Sequence, residues 1–234
     1  MTELEYILYF ACLGAIILSI WAQIKVNGTF RRFSEVRTAS GRTAATVARD
    51  MLDRAGLYHV RIERVGGNLT DHYDPKAQVL RLSTPVHDSS SAAAVGVAAH
   101  EAGHAIQHAE GYAPIKFRTA LVPVTSFASR FSWLIIIAGI LIMSFEGSAF
   151  GYYISLFGIG LFAFTTLFQL VTLPCEFNAS SRALAALDAS GYYTRDELSA
   201  SKKVLSAAAL TYVASFAVSL LQLLRLLAGI NRRR

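Results

Sequence analysis

Val97-Ala98-Ala99-His100-Glu101-Ala102-Gly103-His104-Ala105-Ile106-Gln107-His108 contains a His-Glu-x-x-His pattern, and its reading decides what kind of fold surrounds it. Four residues is about one helical turn, so His100 and His104 leave the same face of a helix. They can share one metal ion while Glu101 stands beside it. A short helix carrying these side chains on a solvated face is the competing reading, and the flanks disfavour it. Ala92 to Ala99 is almost entirely small and apolar, which predicts a buried helix, where unpaired histidines and a glutamate would be costly. The expectation is a zinc-hydrolase site with one ion, His100 and His104 as ligands and Glu101 as the catalytic base.

The composition around this helix is that of a membrane protein. The 234 residues are 53% hydrophobic and only 16% charged, with a mean hydropathy of +0.41, too apolar for an ordinary soluble domain. Cys12 lies inside an apolar run and Cys175 is far from it, so neither a disulfide framework nor a Cys-x-x-Cys pair is present. The net charge of +6 is unevenly placed, with nine Lys/Arg against four Asp/Glu between Lys25 and Arg64 and a terminal triplet Arg232-Arg233-Arg234. Beside apolar spans such patches read as topology signals and contacts to anionic lipid. Without an aromatic-interleaved basic motif, nucleic acid is not an expected partner. The lipid bilayer and a peptide or membrane-protein substrate are.

Upstream, Leu4 to Ile24 is long enough to cross a hydrocarbon core of about 30 Å. Glu3 and Glu5 precede this run and the basic residues follow it, the reverse of a signal peptide, so residues 1–25 are expected to remain as a transmembrane anchor. Residues 26–130 form the expected cytoplasmic region. An amphipathic helical rhythm runs from Arg31 to Gly56, with Ala44, Val47, Ala48, Met51 and Leu52 on one side. Two or three short strands follow between Tyr58 and Leu82, then a loop from Ser83 to Ser91 that caps the motif helix, which ends near Gly111. Residues 131–174 read as a transmembrane hairpin through Glu146-Gly147-Ser148-Ala149, with Pro174 stopping its second arm. Residues 175–204 begin a new helix and connector, and 205–234 hold a last apolar, membrane-associated helix interrupted by Gln222 and Arg225. The positive-inside rule puts the 26–130 region in the cytoplasm, and the hairpin returns the Glu176 segment to the same side.

A catalytic zinc takes three protein ligands and keeps a position for water. His108 is an obvious third candidate, but His100, His104 and His108 span about 12 Å of one helix, too far to converge on bonds of roughly 2 Å. The longer pattern with a third histidine also fails, since Gln107 and Glu110 stand where Gly and His are needed. His108 is better read as a helix-end residue or as support for a ligand. Glu176, at the start of Glu176-Phe177-Asn178-Ala179-Ser180-Ser181-Arg182, is either the third ligand or a first-turn glutamate favoured by the helix dipole. Its place beside the membrane on the expected side, and the polar residues Asn178, Ser180 and Arg182 after it, favour the ligand. Tyr212, Tyr193, Tyr112 and His72 are candidates to stabilise an oxyanion, and the 68–83 region could present a strand edge to an extended substrate.

Four stretches together resemble the YugP-like family of neutral zinc metallopeptidases, which are bacterial membrane proteins. They are His-Glu-Ala-Gly-His-Ala-Ile-Gln at 100–107, Asp71-His72-Tyr73-Asp74-Pro75 with Val79-Leu80-Arg81-Leu82-Ser83, Leu173-Pro174-Cys175-Glu176-Phe177-Asn178-Ala179-Ser180, and Ala207-Ala208-Ala209-Leu210-Thr211-Tyr212-Val213-Ala214. The resemblance covers most of the chain. It implies a mainly α multi-pass protein of the bacterial cell membrane, with a gluzincin-like metalloprotease core, a small β element, a zinc-binding helix and three to four transmembrane helices. Like gluzincins and the HtpX-like membrane proteases, such a protein takes its third ligand from a later helix, which implies Glu176. Relatives often carry Asp two or four positions after that ligand, where this chain has Asn178 and Ser180.

The activity so implied is endopeptidase cleavage, with Glu101 as general base and His100, His104 and Glu176 holding one zinc, in membrane-protein quality control or processing. A scaffold or adaptor that kept zinc without catalysis is the alternative, although a structural site has no need of Glu101. A zinc transporter would want ionisable residues along its spans, and the first three spans are nearly free of them.

Overall fold

The computed structural model describes residues 3–146 and 149–232, so Gly147 and Ser148 of the expected hairpin turn, and Arg233 and Arg234 of the terminal triplet, lie outside the described residues. The elements in chain order are α1 (Glu3–Ser34), α2 (Ala44–Arg54), β1 (Arg61–Val65), β2 (His72–Asp74), β3 (Val79–Ser83), α3 (Thr84–His87), α4 (Ala92–Ala109), α5 (Ala113–Glu146), α6 (Ala149–Ala189) and α7 (Arg195–Arg232). The protein is mainly helical with one small sheet. Among the described residues four helices, α1, α5, α6 and α7, are long and apolar enough to cross a membrane. The shortest of these, α1, has 32 residues, about 48 Å at the helical rise and well beyond a hydrocarbon core of about 30 Å.

The chain divides into two compact units. One comprises Met1–Trp21, Phe117–Leu173 and Tyr212–Arg234, and the other Ala22–Lys116 with Pro174–Thr211. In the first, most large side chains along the spans face outward, as Ile17, Leu134 and Phe157 do. Ile136, Ile159 and Ile230 form a small core packed by Phe162, Leu223 and Leu227. Close approach of α5 and α6 explains the glycines there: a Cβ on Gly139 would run into Ser155, and one on Gly151 into the Met143 backbone. Lipid tails give no hydrophobic drive between helices, so such small-residue contacts are what hold them.

The second unit is built around α4. Thr43 and Ser91 start α2 and α4 by accepting hydrogen bonds from the N–H groups of Thr46 (3.3 Å) and Ala94 (3.2 Å). Thr194 and Glu197 start α7 reciprocally: the Thr194 N–H donates to Glu197 Oε2 at 2.7 Å, and the Glu197 N–H to Thr194 Oγ1 at 3.3 Å. The apolar face expected on α2 is the buried one, and it joins Leu80, Leu82, Val86 and the alanines of α4 in one core. The sheet has the order β1-β3-β2, with β1 parallel and β2 antiparallel to β3, which leaves β2 at an edge. Asp71 fixes the approach to β2 by accepting from the Ser83 N–H (2.7 Å) and hydroxyl (2.9 Å), while burial raises its pKa above the usual carboxylate value.

Three local expectations are corrected: the stretch from Ser83 to Ser91 is not all loop, since Thr84–His87 form the single turn of α3. The stretch from Arg31 to Gly56 is not one helix, because α1 ends at Ser34 and α2 begins at Ala44. Between them the backbone runs extended beside 89–92, with the Thr38 N–H on Ser90 O (2.9 Å), the Ala92 N–H on Val36 O (2.8 Å) and the Ala44 N–H on Ser89 O (2.8 Å). Gly41, at φ +63, turns the chain back. Pro174 does not stop a helix either, since α6 continues through it to Ala189. Proline removes one donor from the ladder, but Cys175, Ala179, Ala183 and Leu187, spaced four apart beyond it, are all buried in the second unit. That packing outweighs the lost bond.

Within this unit α4 and α6 touch backbone to backbone at Gly103, where an added Cβ would lie 2.8 Å from Ala179 O and 3.3 Å from Ala179 Cα. Gly28, in α1, has nothing within 4 Å of the same position. Gly103→Ala is therefore expected to destabilise by about 1–3 kcal/mol, the cost of overpacking, and to lower the thermal midpoint in detergent. Gly28→Ala should leave it unchanged or slightly raised. Equal midpoints for the two variants would contradict a close helix contact at Gly103.

Candidate metal centre

Helix α4 presents His100 and His104 one turn apart, with ring centroids 4.7 Å from each other and planes at 84°. Opposite them stands Glu176 of α6, whose Oε2 is 3.1 Å from His100 Nε2 and 3.6 Å from His104 Nε2. One donor atom from each of the three lies within 4.8 Å of the other two. Ligands bound tetrahedrally to zinc at roughly 2.0–2.1 Å stand about 3.3 Å apart, so the observed separations suit such an ion. The side chains are 13%, 11% and 3% exposed for His100, His104 and Glu176 respectively, and a carboxylate so buried needs a cation or protons to balance it.

The other ring nitrogens are already engaged. His104 Nδ1 lies 2.9 Å from Gln107 Oε1. The Gln107 amide group donates to Cys175 O at 2.8 Å and to Asn178 Oδ1 at 2.9 Å, so its oxygen must face the imidazole. In its neutral form His104 then carries its proton on Nδ1, and Nε2, which faces Glu176, is the atom left to bind a cation. His100 Nδ1 is likewise 3.1 Å from Ser180 Oγ, a hydroxyl able to accept its proton. Both histidines thus offer Nε2 to the same space, the tautomer a metal requires. Burial opposes protonation of His104, but Glu176, Glu101 and Gln107 together outweigh it and hold its pKa above the ordinary imidazole value. Protons therefore compete with any cation for this site.

Glu101 sits beside this group on α4, and its Oε2 accepts a hydrogen bond of 3.1 Å from the Tyr73 N–H of edge strand β2. The general-base candidate and the strand edge expected to receive substrate therefore adjoin. His108 is placed elsewhere: its ring lies 5.7 Å from that of Tyr73, and the metal-capable group does not include it. His72, on β2, is exposed, with Nδ1 2.8 Å from Thr70 O. Tyr193 lines a cavity of about 210 Å³ with Arg42, Met51 and Leu187, and none of His100, Glu101, His104 or Glu176 lines it. Tyr112 lies between α4 and α5, and Tyr212 is in the first unit.

Two supporting residues escaped sequence reasoning. Gln107 entered as a break in the longer histidine pattern and as the end of the 100–107 stretch, and Ser180 as one of the polar residues after Glu176 and a departure from a common Asp; neither was assigned to a ligand ring. The structure sets both against ligand rings. Spacing held the only available signal, since Gln107 is three residues from His104 and Ser180 four from Glu176, each about one turn away. Asn178 extends the support outward, accepting from Arg182 Nε at 2.7 Å, while Arg182 pairs with Glu110 at 2.7 Å.

Comparison with known proteins agrees with this geometry. No solved structure matches the chain. It is 47% identical over 218 residues, 92% of this chain and 93% of the other, to a protein of Bacillus subtilis (strain 168) named "Putative membrane protease YugP". The model of a family described as "Putative neutral zinc metallopeptidase" matches residues 8–231. With nearly its whole length matched and a His-His-Glu group formed by the motif helix and α6, the chain belongs to this neutral zinc metallopeptidase family.

Proposed function

We propose that the protein is an integral-membrane zinc endopeptidase that cleaves peptide or membrane-protein substrates in membrane-protein quality control or processing. The observation that carries this reading is the convergence of His100, His104 and Glu176, with Glu101 beside them and held to the edge strand. Two neutral imidazoles and a carboxylate are the donor set of a hydrolytic zinc site. Zinc bound there would polarise a peptide carbonyl and lower the pKa of water toward neutrality. Glu101 takes the proton from the attacking water and passes it to the leaving amine. Gln107 and Ser180 keep the two rings oriented with Nδ1 engaged and Nε2 turned to the metal position. An extended substrate segment pairs along β2, next to Glu101. In an inert zinc scaffold Glu101 would serve only to hold the Tyr73 N–H of β2.

The proposed site faces the cytoplasm, as the basic residues between Lys25 and Arg64 support. Tyr58, 74% exposed in the same unit, provides a reporter. A Tyr58→Cys variant should resist a membrane-impermeant maleimide in intact cells and react after permeabilisation. Labelling in intact cells would reverse the orientation.

Metal analysis and a cleavage assay on the purified protein separate the roles. Glu101→Gln should keep one zinc per chain while cleavage of an unfolded protein substrate falls by at least about 10²-fold. Unchanged turnover in that variant would remove the mechanism. Gln107→Leu leaves all three ligands in place but frees the His104 ring, so zinc affinity is expected to drop about 10–100-fold. Wild-type affinity in Gln107→Leu would mean that the amide does not orient His104.

A further inference from the structure

An open cleft of about 440 Å³ within the membrane unit is walled by Trp133, Phe162 and Val218 together with six hydroxyl and amide side chains: Ser19 of α1, Thr165 and Gln169 of α6, and Ser215, Ser219 and Gln222 of α7. All six belong to helices long and apolar enough to span a bilayer. Some are satisfied locally. Thr165 donates to Phe162 O at 2.6 Å, and Ser219 Oγ lies 2.7 Å from Thr166 Oγ1. Gln169 and Gln222 are different, because no hydrogen bond ties either amide to a neighbour among the described residues.

Each primary amide has two N–H donors and a carbonyl acceptor. Gln222 stands near the middle of the Tyr212–Arg234 segment of this unit and Gln169 four residues before the end of Phe117–Leu173; where such a segment lies in hydrocarbon, no water stands ready to satisfy these groups, and a polar side chain is costly unless it finds a partner. The cleft is also uncharged, as no Asp, Glu, Lys or Arg lines it, so neither an ion nor an anionic lipid headgroup is its natural occupant. What suits two amides is a third amide, which donates and accepts at once. In the bilayer a polypeptide delivers one without exposing its own backbone only on a helix.

We propose that this cleft docks a transmembrane helix of the substrate that carries an asparagine or glutamine, paired with Gln169 and Gln222. The proposal relies on the endopeptidase reading for calling the partner a substrate. It assigns the substrate class: membrane proteins whose spans contain an uncompensated amide, as an unassembled or misfolded subunit would.

The test uses the full chain as its zinc-loaded Glu101→Gln form, in nanodiscs of zwitterionic phosphatidylcholine, with binding read by energy transfer to single-span leucine-alanine helices. One guest helix carries Asn at its centre and the other Leu. The Asn guest should bind about tenfold tighter, the scale of an interhelical amide bond. Gln169→Leu with Gln222→Leu should abolish that preference while zinc content stays unchanged. Equal binding of the two guests overturns the proposal, as does a preference that survives the double substitution. So does a double variant that only dissolves a dimer, since the cleft would then hold a second copy of this chain. Changing the guest leaves the protein untouched, so a poorly folding variant does not spoil the first comparison. Binding is read without turnover, so failure of the endopeptidase reading would show in the cleavage assay and not here.

Discussion

The contact of α4 with α6 at Gly103 and Ala179 is the constraint on which the site depends. Gly103 lies three residues after His100, and Ala179 three residues after Glu176. Because backbone meets backbone there, with room for no Cβ, the turn bearing the histidines and the turn bearing the carboxylate stand level. The imidazole-to-carboxylate separations of 3.1 and 3.6 Å follow from that closeness. The run of alanines in α4 serves the same end, as small side chains let α2 and β3 press on its other faces and fix it. Gly96, whose added Cβ would stand 3.1 Å from Ser201 Cβ, brings α7 in by the same means.

Around the ligands the support is neutral where a carboxylate is common. A Ser180 hydroxyl and a Gln107 amide face the Nδ1 atoms of His100 and His104. Carboxylates in those places would add negative charge to a pocket that already holds Glu176 and Glu101, and would make the ligating nitrogens more basic. Neutral acceptors orient the rings without that charge, which leaves a bound cation more electrophilic. The charge appears further out, where Arg182 and Glu110 pair beyond Asn178 and tie the end of α4 to α6.

Much of this was legible in the chain itself. His100 and His104 could be placed because four-residue spacing on a helix has one geometric outcome, and the face of α2 because five apolar side chains at helical period have one place to go. Glu176 was harder, since a glutamate after Pro174 reads as a helix-dipole residue as readily as a metal ligand; the structure removes the first use, because α6 runs unbroken from Ala149 to Ala189, and sets Oε2 3.1 Å from His100 Nε2, 76 residues away in sequence. Pro174 misled for a local reason. Proline is read as a helix stop, yet the helix resumes when residues beyond it find a core, and that core is assembled from elements distant in sequence. The break at residues 35–43 was hidden likewise, because its cause is pairing with residues 89–92. Gln107 and Ser180 carried no signal of their own type, as amides and hydroxyls one turn from a functional residue are common.

The proposed function requires one zinc ion held by two imidazoles and one carboxylate on this pair of helices. X-ray absorption at the zinc edge on the purified protein reads that ligand set directly. Two imidazole nitrogens and carboxylate oxygen at roughly 2.0–2.2 Å, with no sulfur, are expected. A third imidazole would bring His108 back as a ligand, and a scatterer near 2.3 Å would signal cysteine sulfur; either result would contradict the site described.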